Sequence, residues 1–353
     1  MSEVSSLLAK TKQMQILFIS YAFHPQVGGI ESSAVMLLRE FLQRGHRVKV
    51  VTDVACDDGD ELTWIDVIRR PGLGTQWRLA READVIYHHN PAFRYWLPSC
   101  TGRNTVFSIH TWVSRADRSI SWKDRLKHHV LKRFPCISNS RATAQHLSGE
   151  SVVIENAYDD DVFRTTTDWS GRDGAVFVGR LVSDKGVPTA LRAISNLQEC
   201  GQPMNLRIIG AGPDEDALKR QAESLGISDR VQFLGRREPA AVAEELNRAK
   251  YLVIPSQWEE PFGIVALEGI ACGCIPIGTN QGGLVDAIGP CGPLFERGNG
   301  DQLADWLDRL ESEPDLASSY RSNHASHLEK HSPRVVSERH LEVFEHAIAR
   351  QDR

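Results

Sequence analysis

No run of about 18 uncharged apolar residues occurs in the chain, so no membrane-crossing helix is expected. No Cys-x-x-Cys pair occurs either. The seven cysteines, Cys56, Cys100, Cys136, Cys200, Cys272, Cys274 and Cys291, are odd in number and scattered. That argues against a disulfide framework or a zinc site and for buried thiols in a reducing cytosol. The segment from Met1 to Gln15 carries Glu3 and lacks a sustained apolar core, so a secretory signal is not expected. Nor is there an excess of positive charge. Residues 1–160 hold 20 Lys+Arg against 17 Asp+Glu and the remainder 21 against 29, giving +3 and −8 within a formal −5. Neither half reads as a nucleic-acid binder. What is left is a soluble globular chain of 353 residues, 41% hydrophobic and long enough for two domains.

The informative stretch runs from Tyr251 to Cys274. Tyr251-Leu-Val-Ile reads as a short buried strand, and Ser256 to Glu260 is polar. Pro261 then introduces a run whose Ile264, Val265, Leu267 and Ile270 suit a buried helix. Glu260 and Glu268 are eight residues apart. Within a helix that is two turns plus about 80° and a rise of ~12 Å, so they can touch two ends of one elongated ligand. Between them the amides of Phe262, Gly263, Ile264 and Val265 fall in the first turn, where no intrahelical acceptor exists and an anion fits. Glu260 can accept from sugar hydroxyls and Glu268 from a ribose, with a diphosphate between them. The residues alone equally allow an ordinary helix start, with Glu260 complementing the macrodipole and Glu268 on a solvated face.

Glu260-Pro-Phe-Gly-Ile-Val-Ala-Leu-Glu268 resembles the Glu-x7-Glu signature of retaining family-4 glycosyltransferases, and further motifs follow in that family's order over most of the chain. The resemblance implies an α/β protein of GT-B fold, two Rossmann-like domains with parallel sheets facing a central cleft. It implies an acceptor-binding domain over 1–164, a nucleotide-sugar-binding domain over 165–334, and a helix over 335–353 crossing back to the first domain.

In the N-terminal half, Gln15 to Ser20, Ser32 to Arg44 and His46 to Thr52 read as a parallel βαβ unit. Gly28-Gly29 after the first strand lets backbone approach a phosphate, or is an ordinary turn. The resemblance matches it to the glycine loop that closes over the donor diphosphate. Strands at Asp84 to Tyr87 and Thr105 to Ile109 follow, and His110 stands directly after the second. The resemblance places His110 beside the reacting sugar, its main-chain carbonyl facing the developing positive charge. Thr111, Ala157 and Tyr158 depart from the family's usual residues.

Residues 112–134 carry seven Lys/Arg (Arg115, Arg118, Lys123, Arg125, Lys127, Lys132, Arg133) against Asp117 and Asp124, with Ile120, Trp122, Leu126, Val130 and Phe134 as an intermittent apolar face. This is either a surface for anionic membrane or a solvated helix over the acceptor cleft.

In the C-terminal half, Ala175 to Gly179 is a strand followed by Arg180-Leu-Val-Ser-Asp-Lys-Gly186. Two cations at a strand's carboxyl end suit a diphosphate clamp, Arg180 through its planar fork and Lys185 as a point charge. Gly210 and Gly212 imitate a dinucleotide fingerprint, but Glu215 occupies the third glycine position and no acidic ribose reader follows, so NAD is rejected. The resemblance puts the backbone near Leu234 to Arg237 against the nucleotide base, and matches Gly282-Gly283 to a family loop, with Asp286 where glutamate is frequent.

The expected activity is retaining transfer from a nucleoside-diphosphate sugar, UDP-linked, to a hydroxyl of a saccharide or lipid-linked glycan. No cofactor or metal is expected, since Asp58-Gly-Asp60 and Asp159-Asp-Asp161 read as acidic turns. The expected place is the cytoplasm, at most peripheral at the inner membrane face. Two alternatives stand: a disaccharide phosphorylase of the same fold, and an inactive nucleotide-sugar-binding protein.

Overall fold

The computed structural model describes residues 12–26, 28–56, 62–114 and 119–351. Asp58, Asp60, Arg115, Asp117 and Arg118 lie outside the described residues. The chain divides into two compact units, one within 1–138, 146–154 and 337–353, the other within 139–145 and 155–336.

Through the first unit run β1 (Gln15–Ser20), α1 (Gly29–Gln43), β2 (Arg47–Thr52), β3 (Asp66–Arg69), α2 (Leu73–Glu82), β4 (Val85–His89), β5 (Asn104–Ile109), α3 (Trp122–Leu131) and β6 (Cys136–Ser138). The short α4 (Arg141–His146) begins in the second unit, and β7 (Val152–Val153) returns to the first. The second unit holds β8 (Ala175–Val178), α5 (Val187–Glu199), β9 (Leu206–Ile209), α6 (Glu215–Ser224), β10 (Val231–Gly235), α7 (Pro239–Arg248) and β11 (Tyr251–Ile254). It continues with α8 (Ile264–Ala271), β12 (Ile275–Thr279), α9 (Leu284–Ile288), β13 (Leu294–Phe295), α10 (Gly300–Ser312), α11 (Pro314–Arg321) and α12 (His324–Lys330). The last helix, α13 (Pro333–Gln351), lies in the first unit from Ser337 onward.

The first sheet has the order β3-β2-β1-β4-β5-β6-β7 and the second β10-β9-β8-β11-β12-β13, with every pairing parallel. Both are doubly wound sheets whose strand order reverses once, between β1 and β4 in the first and between β8 and β11 in the second. Their central strands read as continuous apolar runs because helices cover both faces. Ile16, Leu17, Phe18 and Ile19 of β1 are all buried, as are all four residues of β11.

α1 presents Ala34, Leu37, Leu38 and Phe41 to the core at helical spacing. It ends where the amides of Gly45 and His46 turn back to the carbonyls of Leu42 and Phe41, which satisfies the last carbonyls of the helix. α13 packs beside it. The ring of Phe344 lies 5.7 Å from Phe41 and 5.1 Å from Tyr87, and Arg44 pairs with Glu338 at 3.1 Å. Burying a phenylalanine stabilises by about 1.5–3 kcal/mol, so Phe344 is a principal anchor of this helix. In the second unit one apolar layer joins α5, α6 and α10 to the sheet, and another joins α7, α8 and α9 to its opposite face.

Candidate active site

An open parallel sheet binds ligands beyond the carboxyl ends of its strands, at the point where strand order reverses. At that point in the second unit, the loop after β8 carries Arg180 and Lys185, and the loop after β11 carries Ser256 and Glu260. Lys185 Nζ lies 2.5 Å from Glu260 Oε1, and Ser256 Oγ donates to the same oxygen at 2.8 Å. The two charged side chains keep 23% and 13% of their surface. They form a charge-assisted pair that is mostly enclosed yet still within reach of a ligand. Arg180 is exposed and makes no ion pair among the described residues. The two loops are tied by main chain, the amides of Gln257 and Trp258 both donating to the Asp184 carbonyl at 2.8 and 3.1 Å.

Gly263 adopts φ +103°, a left-handed conformation that glycine enters without strain, and α8 starts after it at Ile264. The helix therefore opens three residues later than Pro261 suggests. Glu260 lies outside it, so the eight-residue spacing to Glu268 is not a helical one. Phe262 is buried and precedes the helix. The amides of Gly263, Ile264 and Val265 have no acceptor among the described residues, whereas Ala266 bonds to the Gly263 carbonyl at 3.0 Å. Glu268 lies within α8, and its carboxylate receives no hydrogen bond from the described residues, although its main-chain carbonyl accepts from the Cys272 amide at 3.0 Å. Burial of its carboxyl, reinforced by the like charge of Asp159, pushes its pKa up to about 7. A carboxylate so placed gains from any donor a ligand offers.

The Gly282-Gly283 turn closes over this segment. The Gly283 amide donates to the Glu260 carbonyl at 2.8 Å, and a Cβ on Gly283 would come within 2.1 Å of the Pro261 carbonyl oxygen. Asp286 then accepts from the Arg141 amide at 2.7 Å and pairs with its Nε at 3.1 Å, capping α4. Gly210 and Gly212 are explained by packing: a Cβ on either would collide with the carbonyl of Gly179 or Leu181. Leu234 sits at a register irregularity between β10 and β9, and Arg237 is exposed between β10 and α7.

In the first unit the reversal lies between β1 and β4. Gly28 and Gly29 open α1, but Gly28 has an extended φ that any residue adopts, and the Glu31 carboxylate reaches back over it. His110 follows β5 and is buried. Its Nε2 meets Ser108 Oγ at 2.9 Å, and its amide donates to Asn90 Oδ1 at 3.3 Å. Its ring lies 3.9 Å from that of His89, the last residue of β4. The Ile30 carbonyl can only accept, so His89 Nε2 carries the proton given to it at 3.1 Å, and Nδ1 of the neutral ring then accepts from the Tyr87 hydroxyl at 3.3 Å. Burial brings the pKa of His89 down to about 3, which keeps this ring neutral against His110.

Sequence reasoning missed Ser256, His89, Asn90 and Ser108. The available signal was their position, polar residues at or just past the carboxyl ends of strands.

Among its described residues the basic segment is helical over α3. Ser121 and Asp124 form a reciprocal cap at its start. Asp124, His128 and Leu131 face inward, leaving Ile120, Trp122 and Leu126 exposed by 46%, 71% and 43% beside Lys123, Arg125 and His129.

The architecture and this site define a class, and comparison with known proteins agrees. The model of Glycosyltransferase Family 4 matches residues 27–162, and that of Glycosyl transferases group 1 matches residues 164–327. The chain belongs to the family-4 glycosyltransferases, with the GT-B fold. It is 34% identical to the D-inositol 3-phosphate glycosyltransferase of Corynebacterium jeikeium over 178 residues, 48% of this chain and 42% of that protein. The chain thus spans less than half the length of the first curated relatives it matches. The phosphatidyl-myo-inositol mannosyltransferase of Mycobacterium leprae is 25% identical over 350 residues, 90% of this chain and 93% of that protein. Among solved structures, HepE of Anabaena in complex with UDP shares the fold with a TM-score of 0.79 at 20% identity, over 94% of this chain and all of that one.

Proposed function

We propose that this chain moves a sugar from a UDP-linked donor to a hydroxyl of a saccharide or lipid-linked glycan, with retention and without a metal. The observation that carries the reading is the group at the second unit's switch point: Lys185, Glu260 and Ser256 in one hydrogen-bonded set, next to the unbonded amides that open α8. Transfer must stabilise negative charge on the leaving diphosphate and positive charge at the anomeric carbon. Arg180, Lys185 and the amides of Gly263, Ile264 and Val265 serve the first, with the Gly28-Gly29 loop over the diphosphate. Glu260 positions the sugar, Glu268 receives the ribose hydroxyls, and the backbone at Leu234 to Arg237 meets the base. His110 holds the sugar and turns its carbonyl toward the positive charge. No protein nucleophile is assigned.

The UDP preference is supported by HepE, whose structure holds UDP. The test is a melting comparison with UDP, GDP, ADP and NAD on wild type and Glu268→Ala. A ligand at 100 times its dissociation constant stabilises by about 2.7 kcal/mol. A shift from UDP alone, absent in Glu268→Ala, supports the reading; a shift from NAD alone overturns it. Activity should survive EDTA, and loss restored by manganese would show that a metal is needed. Phosphate-dependent breakdown of a disaccharide would favour the phosphorylase alternative.

The exposed Ile120, Trp122 and Leu126 among cations favour a second element, peripheral docking of α3 on an anionic membrane from the cytoplasmic side. No helix among the described residues is long and apolar enough to cross a membrane.

A further inference from the structure

His331 directly follows α12, and only 1% of its side chain reaches solvent. Its Nδ1 meets the His327 main-chain carbonyl at 2.7 Å, and its Nε2 meets Glu155 Oε2 at 2.8 Å. A carbonyl oxygen has no proton to give, so Nδ1 carries one. Burial alone would raise the pKa of Glu155, but the hydrogen bond and charge of His331, with the charges of His327 and Arg141, hold it below the ordinary carboxylate value. Glu155 is therefore ionised and can only accept, so Nε2 carries a proton as well. The ring is an imidazolium between two charge-assisted bonds, one of them to a carboxylate that balances its charge. The other charged or titratable groups around the pair, among the described residues, are His327 and Lys330 of α12, Asp286 of α9 and Arg141 of α4. Burial, followed by the His331 charge, brings the pKa of His327 below its ordinary value, so one ring of the two is charged.

Three segments of the second unit's site are fastened to this point. The His331 ring lies 6.0 Å from that of Phe262, tilted by 35°, a distance at which a cation and an aromatic ring attract. Phe262 is buried and immediately precedes the amides of Gly263, Ile264 and Val265, which have no acceptor among the described residues. The His331 main-chain carbonyl accepts from the Tyr158 amide at 3.4 Å, beside Asp159, whose charge acts on Glu268. The His327 ring, 4.4 Å from that of His331, gives its Nε2 proton to the Ala287 carbonyl at 2.9 Å. Ala287 belongs to α9, the helix opened by the Gly282-Gly283 turn that holds the Glu260 carbonyl.

We propose that His331 is a positioning residue of the donor site, its imidazolium, held by Glu155, fastening Phe262 and residues 155–159 behind the groups that take the nucleotide diphosphate. This deepens the transferase reading and rests on it for the word donor. His331 acts through Phe262, whose ring fixes the chain just before Gly263 turns left-handed and aims the three amides. Glu155→Ala leaves an enclosed cation without its counter-charge. Glu155→Gln restores the geometry without charge: its amide nitrogen donates to Nε2 of a neutral ring, which keeps its Nδ1 proton on the His327 carbonyl.

The experiment compares the full chain with Glu155→Ala, Glu155→Gln and His331→Phe, the last of which keeps a ring against Phe262. Calorimetric titration at pH 7 measures UDP affinity, and NMR of ¹⁵N-histidine-labelled protein reads the ring protons of His331. Wild type should show a proton on each nitrogen of His331, and Glu155→Gln a single one on Nδ1. Glu155→Ala and His331→Phe should bind UDP about tenfold more weakly, the scale of an indirect effect on a ligand site, while Glu155→Gln stays within about twofold of wild type. That recovery is what a merely space-filling role would not produce. Glu155→Ala, at a side chain that is partly exposed, carries the test if His331→Phe does not fold. A single ring proton on His331 in wild type overturns the proposal. UDP affinity in Glu155→Ala equal to that of wild type, or equally weakened in Glu155→Ala and Glu155→Gln, overturns it too. If UDP binds wild type and these contrasts are missing, only the positioning role fails. If UDP binds none of the proteins, the donor reading fails and takes the positioning role with it, while the His331 resonances still decide the charged pair.

Discussion

Lys185 and Glu260, 75 residues apart in the chain, meet at 2.5 Å across the loops that follow β8 and β11. The carboxylate that would position a sugar thereby also orients the ammonium that would face its leaving group. Lys185→Met should lower kcat/KM by about 100-fold, the scale of losing one charge-stabilising donor. Combined with Glu260→Gln, the loss should fall short of the product of the single losses, since residues in one hydrogen-bonded set couple. A fully multiplicative result in steady-state kinetics would show that the two act independently.

Glu268 makes nucleotide binding pH-dependent. With a pKa of about 7, its ionised fraction rises steeply across neutrality. If the carboxylate accepts the ribose hydroxyls, UDP affinity should rise about tenfold from pH 6 to pH 8 through this group. Calorimetric titration of wild type against Glu268→Gln isolates that contribution from the ionisation of UDP itself. The same pH slope in both proteins would refute the assignment.

The same residue should cost stability. Its folded pKa, about 7, lies above the ordinary value of 4.5. The folded state therefore holds the proton more tightly; the resulting stabilisation is complete below pH 4.5 and is lost as pH rises through 7. Glu268→Gln should accordingly gain up to about 3 kcal/mol relative to wild type between pH 4 and pH 8.5. Denaturant melts at the two pH values measure this, and a gain at pH 4 equal to that at pH 8.5 would contradict it.

Gly283→Ala should damage the donor site from outside it. The added methyl meets the Pro261 carbonyl at 2.1 Å, and relief of that clash displaces the segment bearing Glu260. A destabilisation of about 1–3 kcal/mol and weaker UDP binding are expected, measured by melts with and without UDP. Unchanged UDP binding would mean that the turn does not position Glu260.

If α3 docks on lipid, the protein should sediment with phosphatidylglycerol vesicles at low salt and be released as salt screens Lys123 and Arg125. Trp122→Ser, removing the most exposed aromatic of the helix, should abolish sedimentation while leaving the melt unchanged. Unchanged sedimentation of this variant would exclude the helix as the docking element.

Much of the fold was legible because its signals are local. The apolar run of β1, the spacing of Ala34, Leu37, Leu38 and Phe41, and the turn at Gly45 each specify an element from a few neighbouring residues. The boundaries that moved did so where backbone geometry overrode pattern. Pro261 looks like a helix start, yet Gly263 delays it to Ile264, and within the basic run Ser121 caps a helix that begins at Trp122. The candidate site was partly legible. Glu260, Lys185 and His110 stand out as chemically capable side chains beside glycines or strand ends, whereas Ser256, Ser108 and Asn90 are ordinary polar residues until their partners are seen.

The sequence by itself determined the class of the protein, since alternating strands and helices, glycine turns and the Glu-x7-Glu spacing are properties of short segments read in order. Only the tertiary structure decided which of these residues meet. Lys185 reaches Glu260, His89 lies against His110, Asp286 caps α4, and Arg69 is held by the carbonyls of His24 and Val54. The physical reason is that hydrogen bonding and desolvation depend on distance in space. Parallel strand order brings loops scores of residues apart to one end of a sheet, and no local pattern in the chain records that meeting.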